Sequence, residues 1–257
     1  MTKKNSESPR LKNPAVPNPQ GEKDPRDDKA VNIRNHIYPL DIHNNPEHMK
    51  VYKQKEHEFF QEEEGKRNSI YDDALDKAKG TEEIEGNVTV GIGYNMDNPA
   101  AAGEWKRIFP HKRDPSFYEV YHGRKLSDEE VERLYVGSME SRREQIKKLL
   151  GEAYFKLEPN VLLAFTSLYF NGPDKLVGSG TSAYWHIQEY ARTGKIEHLN
   201  LFREEVRERS NKKKNRGVQA RREREAALAD VTKCPGYSSK VVMELESPKD
   251  LSSPKSP

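Results

Sequence analysis

Three consecutive glutamates, Glu62–Glu64, stand directly before Gly65 and offer carboxyl groups for acid chemistry. Cleavage of a glycosidic bond needs two carboxyl groups: one protonates the leaving oxygen, and the other activates water or attacks the sugar. A carboxyl group at the end of a helix, facing a β-hairpin across a cleft, suits the first role, and Glu64 is the candidate. A run of like charges is also typical of a solvated surface, and spacing alone favours that interpretation.

A strand with clear alternation is predicted at Asn87–Tyr94, after a shorter one at Ser69–Tyr71. The face toward the core is expected to carry Val88, Val90 and Ile92. The opposite face is expected to carry Thr89, Gly91 and Gly93. Because glycine inside a strand often marks the close approach of a ligand, a sugar ring could lie there while Thr89 holds a water. A bulged edge strand with incidental glycines is the open alternative.

Two helices are expected to flank this sheet in the chain. The first begins at Pro46, which suits a first helical turn, and ends at Gly65. The second begins at a capping box, formed by Ser127 and Glu130, and runs to about Leu150. The first of these helices would present its last carboxyl group to the sheet.

The second half of the chain is predicted to be helical. Asn160–Phe170 is apolar almost all round and is expected to be the central buried helix. Amphipathic helices are predicted at Thr181–Arg192, Ile196–Ser210 and Gly217–Ala229. The aromatic residues expected in the core are Trp105, Tyr169 and Trp185. Together these elements predict an α+β fold, with a small antiparallel hairpin lobe and a mainly helical lobe.

The composition predicts one domain with tails. Charged and hydrophobic residues each make up 33% of the 257 residues, which is less apolar than a fully packed domain. Residues 1–45 and 238–257 are therefore predicted to be disordered, and residues 46–237 to form the domain. An apolar cluster in the first tail could dock on the domain: Ile37, Tyr38, Leu40 and Ile42. The single cysteine, Cys234, excludes an internal disulfide, and no metal ion or cofactor is expected.

Neither a membrane nor nucleic acid is an expected partner. The first residues lack the apolar core of a signal peptide, and no apolar run is long enough to span a bilayer, so we expect synthesis in the cytoplasm. The net charge is only +2, which gives no strong basic field. A basic run, Lys212–Arg216, precedes three more arginines, and no aromatic residue interleaves it. We expect a solvated loop and helix start there, including Arg221, Arg222 and Arg224.

Two segments resemble the phage-type lysozymes, glycoside hydrolase family 24. They are Glu62–Asp73, EEEGKRNSIYDD, and Asn87–Asp97, NVTVGIGYNMD. The family pattern is a catalytic Glu followed by Gly, then Tyr-x-Asp, then a strand that reads Thr-[Ile/Val]-Gly-[Ile/Val]-Gly. Later segments that are similar to the family are Leu126–Tyr135, Ser167–Leu176 and Gly217–Leu228. The resemblance covers roughly residues 50–230, and the ordered combination is more specific than any one segment.

The resemblance implies a role for each matching residue. Glu64 takes the place of the general acid, Asp73 that of the carboxylate that acts on water, and Thr89 that of the hydroxyl that positions this water. Arg221 takes the place of an arginine that pairs with the catalytic glutamate. Because a nearby cation favours a charged carboxylate, the expected task of Arg221 is to orient Glu64. The resemblance also implies substrate-binding or supporting roles at the cleft for Gly91, Gly93 and Asn171.

One departure from the family bears on the second carboxylate. The segment between Asp73 and Thr89 is longer here than in the family, and it is acidic. It is expected to enlarge the hairpin turn at the mouth of the cleft. Other carboxylates therefore remain candidates: Asp72, Asp76, Glu82, Glu83 and Glu85.

The function that the resemblance implies is that of a muramidase. Such a peptidoglycan hydrolase cleaves the β-1,4 bond between N-acetylmuramic acid and N-acetylglucosamine, here with inversion, and lyses bacteria. A lytic transglycosylase, which needs only the glutamate, and a catalytically inactive wall-binding or virion module are the alternatives. Since the wall lies outside the cytoplasmic membrane, we expect non-classical delivery as an endolysin or an antibacterial toxin. The carrier would be a holin pore, a phage tail or an injection system that docks on the N-terminal tail.

Overall fold

Helices make up most of the chain that the structure describes. The structure is a computed structural model, and it describes residues 24–72, 86–112, 125–209 and 216–238. The helices are α1 Pro25–Ile37, α2 Pro46–Glu64, α3 Ala101–Ile108, α4 Asp128–Leu150, α5 Pro159–Asn171, α6 Pro173–Leu176, α7 Ser182–Thr193, α8 Ile196–Glu208 and α9 Arg216–Leu228. The strands are β1 Arg67–Asp72, β2 Val88–Gly91 and β3 Tyr94–Asn95, and short 3₁₀ turns lie at Gly151–Phe155 and Val231–Lys233. A helical fold with a small antiparallel sheet agrees with the predicted α+β class.

The three strands form one antiparallel sheet in the order β1-β2-β3. Tyr71 of β1 lies opposite Thr89 of β2, and Val90 of β2 lies opposite Tyr94 of β3. β2 is therefore the central strand. This register places Thr89 between a residue of each outer strand.

The prediction of one continuous strand over Asn87–Tyr94 is wrong. The chain turns back between β2 and β3, where Gly91 and Gly93 have φ angles of 69° and 63°. Residues with a β-carbon rarely adopt this left-handed conformation, so the two glycines permit a tight turn. The expected open face is also absent, because all four residues of β2 are buried and α4 covers the side of Gly91.

The predicted ends of α2 and α4 are confirmed. The Asn45 side chain caps α2 by accepting hydrogen bonds from the backbone of the first turn, and the helix ends before Gly65. Ser127 and Glu130 form the predicted capping box at the start of α4. These caps fix where α2 ends, and hence the position of Glu64 beside the sheet.

The core is built around α5, as predicted. Every residue from Pro159 to Leu168 is buried, and α1, α2, α4 and α9 all pack against this helix. Burial on all sides explains why α5 has an apolar composition without a polar stripe. It is only 13 residues long, and no helix within the described ranges has the length and apolar character needed to cross a membrane.

The prediction that residues 1–45 form a disordered tail is wrong for the described part of that segment. Helix α1 begins at an Asp24 cap and buries an apolar face made of Ala30, Ile33 and Ile37. The predicted docking of the cluster that follows is confirmed, since Ile42 is buried and its partly buried neighbours pack against the core. The face is spaced at i, i+3 and i+7, so it buries a continuous stripe although the helix is rich in charge. Residues 1–23 and 239–257 lie outside the described residues.

The three aromatic residues predicted in the core have different environments. Trp105 is fully buried, and Tyr169 is partly buried against the core. Trp185 is 52% exposed, so its prediction is wrong. It lies on α7, edge-on to the rings of His186 and His198, and outside the apolar stripe of that helix.

Candidate active site

Glu64 ends α2 and is bound by Arg221 of α9. Nη1 of Arg221 lies 2.5 Å from Oε1 of Glu64, and the two side chains are 10% and 18% exposed, in that order. The predicted pairing of these residues is therefore present in the structure. The contact joins two segments 157 residues apart in the chain and leaves part of the Glu64 carboxylate accessible.

Arg221 is also held in place by two residues other than Glu64. Its Nε donates to Glu225 at 3.1 Å, and its Nη2 donates to the Ser167 hydroxyl at 3.2 Å. Ser167 in turn donates to Glu225 at 2.6 Å. Burial alone would lower the pKa of Arg221, but the charges of Glu64 and Glu225 raise it above its ordinary value. The guanidinium is thus a fixed cation at the base of the site.

The glutamates before Glu64 have other partners. Glu62 pairs with Lys29 of α1, and Glu63 forms a buried bidentate contact with Arg224 of α9, with one N···O distance of 2.7 Å. Glu62 is exposed, but Glu63 and Glu64 are held by arginines, so the run as a whole is not a solvated face. The expectation of solvated arginines is wrong as well, since three of them are buried by their carboxylate partners: Arg221, Arg222 and Arg224.

Gly93 lies directly against the Glu64 carboxyl group. A β-carbon placed on Gly93 would be 2.9 Å from Cγ, Cδ and Oε2 of Glu64, closer than non-bonded atoms approach. Gly91 does not share this place, because a β-carbon there would meet Val131 and Leu134 of α4 at ordinary contact distances. Of the two predicted cleft glycines, only Gly93 is at the carboxylate.

Thr89 is buried in the central strand. Its hydroxyl donates to the backbone carbonyl of Asn87 at 3.3 Å, which is a long hydrogen bond. The structure does not join Thr89 to Glu64 by a direct hydrogen bond. Its role in positioning water stays a prediction.

The second carboxylate is not placed by the structure. β1 ends at Asp72, whose backbone lies opposite Val88. Asp73 lies outside the described residues, as do the other candidates after it: Asp76, Glu82, Glu83 and Glu85. The assignment of Asp73 therefore still rests on the sequence pattern.

Asn171 lies at the rim of the same region. It is the last residue of α5, it is exposed, and its side-chain amide donates to the Ser167 carbonyl at 2.8 Å. Positions i and i+4 share a helix face, so Asn171 follows Ser167 on the side that carries the Arg221 contact. This position is compatible with the supporting role predicted for Asn171.

Comparisons with models of protein families, with curated proteins and with solved structures all found no match. The likeness to phage-type lysozymes therefore stays a resemblance of motifs. In the described ranges, no group of three or more His, Cys, Asp or Glu side chains could hold a metal ion.

Three residues that border the site were not predicted from the sequence. Ser167 carries a hydroxyl group in an otherwise apolar helix. Because a buried hydroxyl needs a hydrogen-bond partner, the sequence could have indicated that Ser167 has a polar contact. Glu225 stands four residues after Arg221. This is the spacing of an ion pair within a helix, so the sequence could have indicated this pair as well. Arg142 of α4 had no such signal, because it lies in a charged stretch of a long helix. Only the tertiary structure brings it beside Tyr94 and close enough for the charge of Glu64 to affect its pKa.

Proposed function

We propose that the protein is a muramidase with a lysozyme-like fold, which hydrolyses the β-1,4 bond between N-acetylmuramic acid and N-acetylglucosamine in peptidoglycan. The observation that carries the proposal is the contact set of Glu64, whose carboxyl group meets both Arg221 and Gly93. These three residues come from three of the five segments that resemble the lysozyme pattern. A chance likeness of separate segments gives no reason for them to meet at one carboxylate.

In the proposed reaction Glu64 donates a proton to the leaving glycosidic oxygen as positive charge develops on the sugar. Arg221 fixes the direction of the carboxyl group, and the turn at Gly93 leaves room beside it because glycine carries no side chain. Asp73 takes the proton of the attacking water, and Thr89 orients that water. The roles of Asp73 and Thr89 come from the resemblance to the lysozyme pattern. Because the water attacks the opposite face of the sugar, the configuration of the anomeric centre is inverted.

The direct test is Glu64→Gln, measured as release of soluble sugar from purified peptidoglycan. We expect activity to be abolished and the melting temperature to be nearly unchanged, because the amide can still accept a hydrogen bond from Arg221. Glu62→Gln is the matched control, since it removes a neighbouring carboxylate whose partner is Lys29. Wild-type rates in Glu64→Gln would contradict the proposal.

The same assay separates the alternatives. Mass spectrometry of the released fragments would show anhydro-sugar ends if the protein were a lytic transglycosylase. Binding to the wall without any release would indicate an inactive binding module.

We also propose delivery to the periplasmic wall by a lysis pore, a phage tail or an injection system. Expression with an added periplasmic signal should be toxic, whereas cytoplasmic expression should not. Equal killing from the cytoplasm would contradict the proposed target.

A further inference from the structure

The start of α1 holds Arg224, the arginine that stands one helical turn after Arg221. Nε and Nη2 of Arg224 bind Glu63 of α2, with an Nη2···Oε2 distance of 2.7 Å. Nη1 lies 3.4 Å from a carboxylate oxygen of Asp24 and 3.4 Å from one of Asp27. All three terminal nitrogens of the Arg224 side chain therefore face carboxylates, and α1 supplies two of these carboxylates.

The same two helices are joined twice at the candidate active site. Arg221 and Arg224 of α9 bind Glu64 and Glu63, which are the last two residues of α2. The Arg224–Glu63 contact is the more deeply buried, since both side chains are 2% exposed, against 10% for Arg221 and 18% for Glu64. A shift of Arg224 would move Glu63, and Glu64 would follow because it is the next residue of the same helix.

We propose that Asp24 and Asp27 are positioning residues for the proposed reaction. They hold Arg224 against Glu63, and this contact fixes the end of α2 that carries Glu64. The inference rests on the proposed function. It goes beyond the resemblance to the lysozymes, because α1 lies outside the part of the chain that carries that resemblance.

The negative charge of the two aspartates is what acts on Arg224. Burial alone would lower the pKa of Arg224, but the hydrogen bond to Glu63 and the carboxylates of α1 raise it. The side chains of Asp24 and Asp27 are 25% and 41% exposed, so neutral amides can replace them while Glu63 still pairs with the buried arginine. Asp24→Asn also keeps the cap of α1, because Asn caps a helix as well as Asp does.

Steady-state release of sugar from soluble glycan fragments by the full-length protein tests this, at a temperature where every variant is folded. We expect Asp24→Asn/Asp27→Asn to lower kcat about tenfold and to leave KM unchanged, because the change affects how the acid is aimed during proton transfer. The loss is smaller than the roughly 100-fold cost of a full 1 Å displacement, since Glu63 still holds Arg224.

Arg34→Gln is the matched control, because it loosens α1 on the other side of the same contact between helices. The guanidinium of Arg34 donates to the carbonyls of Ala227 and Lys233, both at 3.2 Å, at and beyond the end of α9. The midpoint of urea unfolding should fall in both proteins, whereas kcat should fall only in Asp24→Asn/Asp27→Asn. An equal loss of kcat in Arg34→Gln would mean that α1 acts only through general packing, and would overturn the inference.

The route through Arg224 has a test of its own. Glu63→Gln/Arg224→Gln removes both charges of the buried pair together, and in that background the two aspartate changes should have no further effect on kcat. A further loss there would overturn the inference, as would an unchanged kcat when the aspartates alone are replaced. Absence of sugar release by the wild type would instead overturn the muramidase proposal, and this inference with it.

Discussion

Replacement of Gly93 by alanine should remove activity with little damage to the fold. The new β-carbon would lie 2.9 Å from three atoms of the Glu64 side chain. Those atoms are the far end of a flexible side chain, so the carboxyl group moves while the backbone stays. The motion separates the acid from its place between Gly93 and Arg221.

Gly91→Ala is the matched control, because it carries the same backbone cost as Gly93→Ala without a new contact with Glu64. Both glycines have left-handed φ angles, 69° at Gly91 and 63° at Gly93, so alanine should cost roughly 1–2 kcal/mol of stability at either position. At Gly91 the added carbon meets only Val131 and Leu134, at 3.6 and 3.7 Å. A displacement of about 1 Å in a reacting group costs on the order of 100-fold in rate, and this loss is expected for Gly93→Ala alone.

The assay is clearing of purified cell walls by both variants, together with urea unfolding of each. We expect similar losses of unfolding free energy and a rate that falls about 100-fold only in Gly93→Ala. Equal activities of the two variants would refute the reasoning, because the contact with Glu64 is the difference between them. A large extra loss of stability in Gly93→Ala would also count against it, since the carboxyl group would then not have moved aside.

Three further predictions concern stability and reactivity. Arg224→Gln leaves the Glu63 carboxylate buried without its cation, so urea unfolding should show a loss of about 3–5 kcal/mol, and an unchanged value would contradict this. Burial raises the pKa of the Cys234 thiol to about 11, so a disulfide reagent at about pH 8 should modify the native protein much more slowly than the unfolded one. Burial also raises the pKa of Glu158, against the hydrogen bond from Tyr190, so folding favours its protonated form. That contribution is present below about pH 4.5 and is lost as pH rises through the raised pKa, so thermal melts should show Glu158→Gln gaining stability relative to wild type with rising pH; a constant difference would contradict it.

Local signals explain which parts of the fold could be predicted. Asn45 and Pro46 start α2, Gly65 ends it, and Ser127 with Glu130 starts α4. Each signal acts through hydrogen bonds to the nearest backbone groups, so it holds whatever the rest of the chain does. The position of Glu64 at a helix end follows from them.

The missed features depend on contacts between distant segments. Alternation along β2 is the same whether the chain continues as a strand or turns, and the φ angles at Gly91 and Gly93 decide between the two. The sequence predicts that Arg224 is a charged residue on the surface. It is buried instead, because it forms an ion pair with Glu63, which stands 161 residues earlier. No local pattern could assign that partner.

The way in which Arg221 is held decides what it contributes to the proposed reaction. Two of its nitrogens bind Glu225 and Ser167, and Nη1 contacts Glu64. Because Glu225 is fully buried and is also paired by Arg222, the guanidinium keeps its place when Glu64 gains or loses a proton. A cation fixed in this way interacts most strongly with a charged carboxylate, which forms when Glu64 gives its proton to the leaving oxygen. In the proposed reaction Arg221 would therefore stabilise the charge that develops on Glu64 during proton transfer, without a rearrangement of its own contacts.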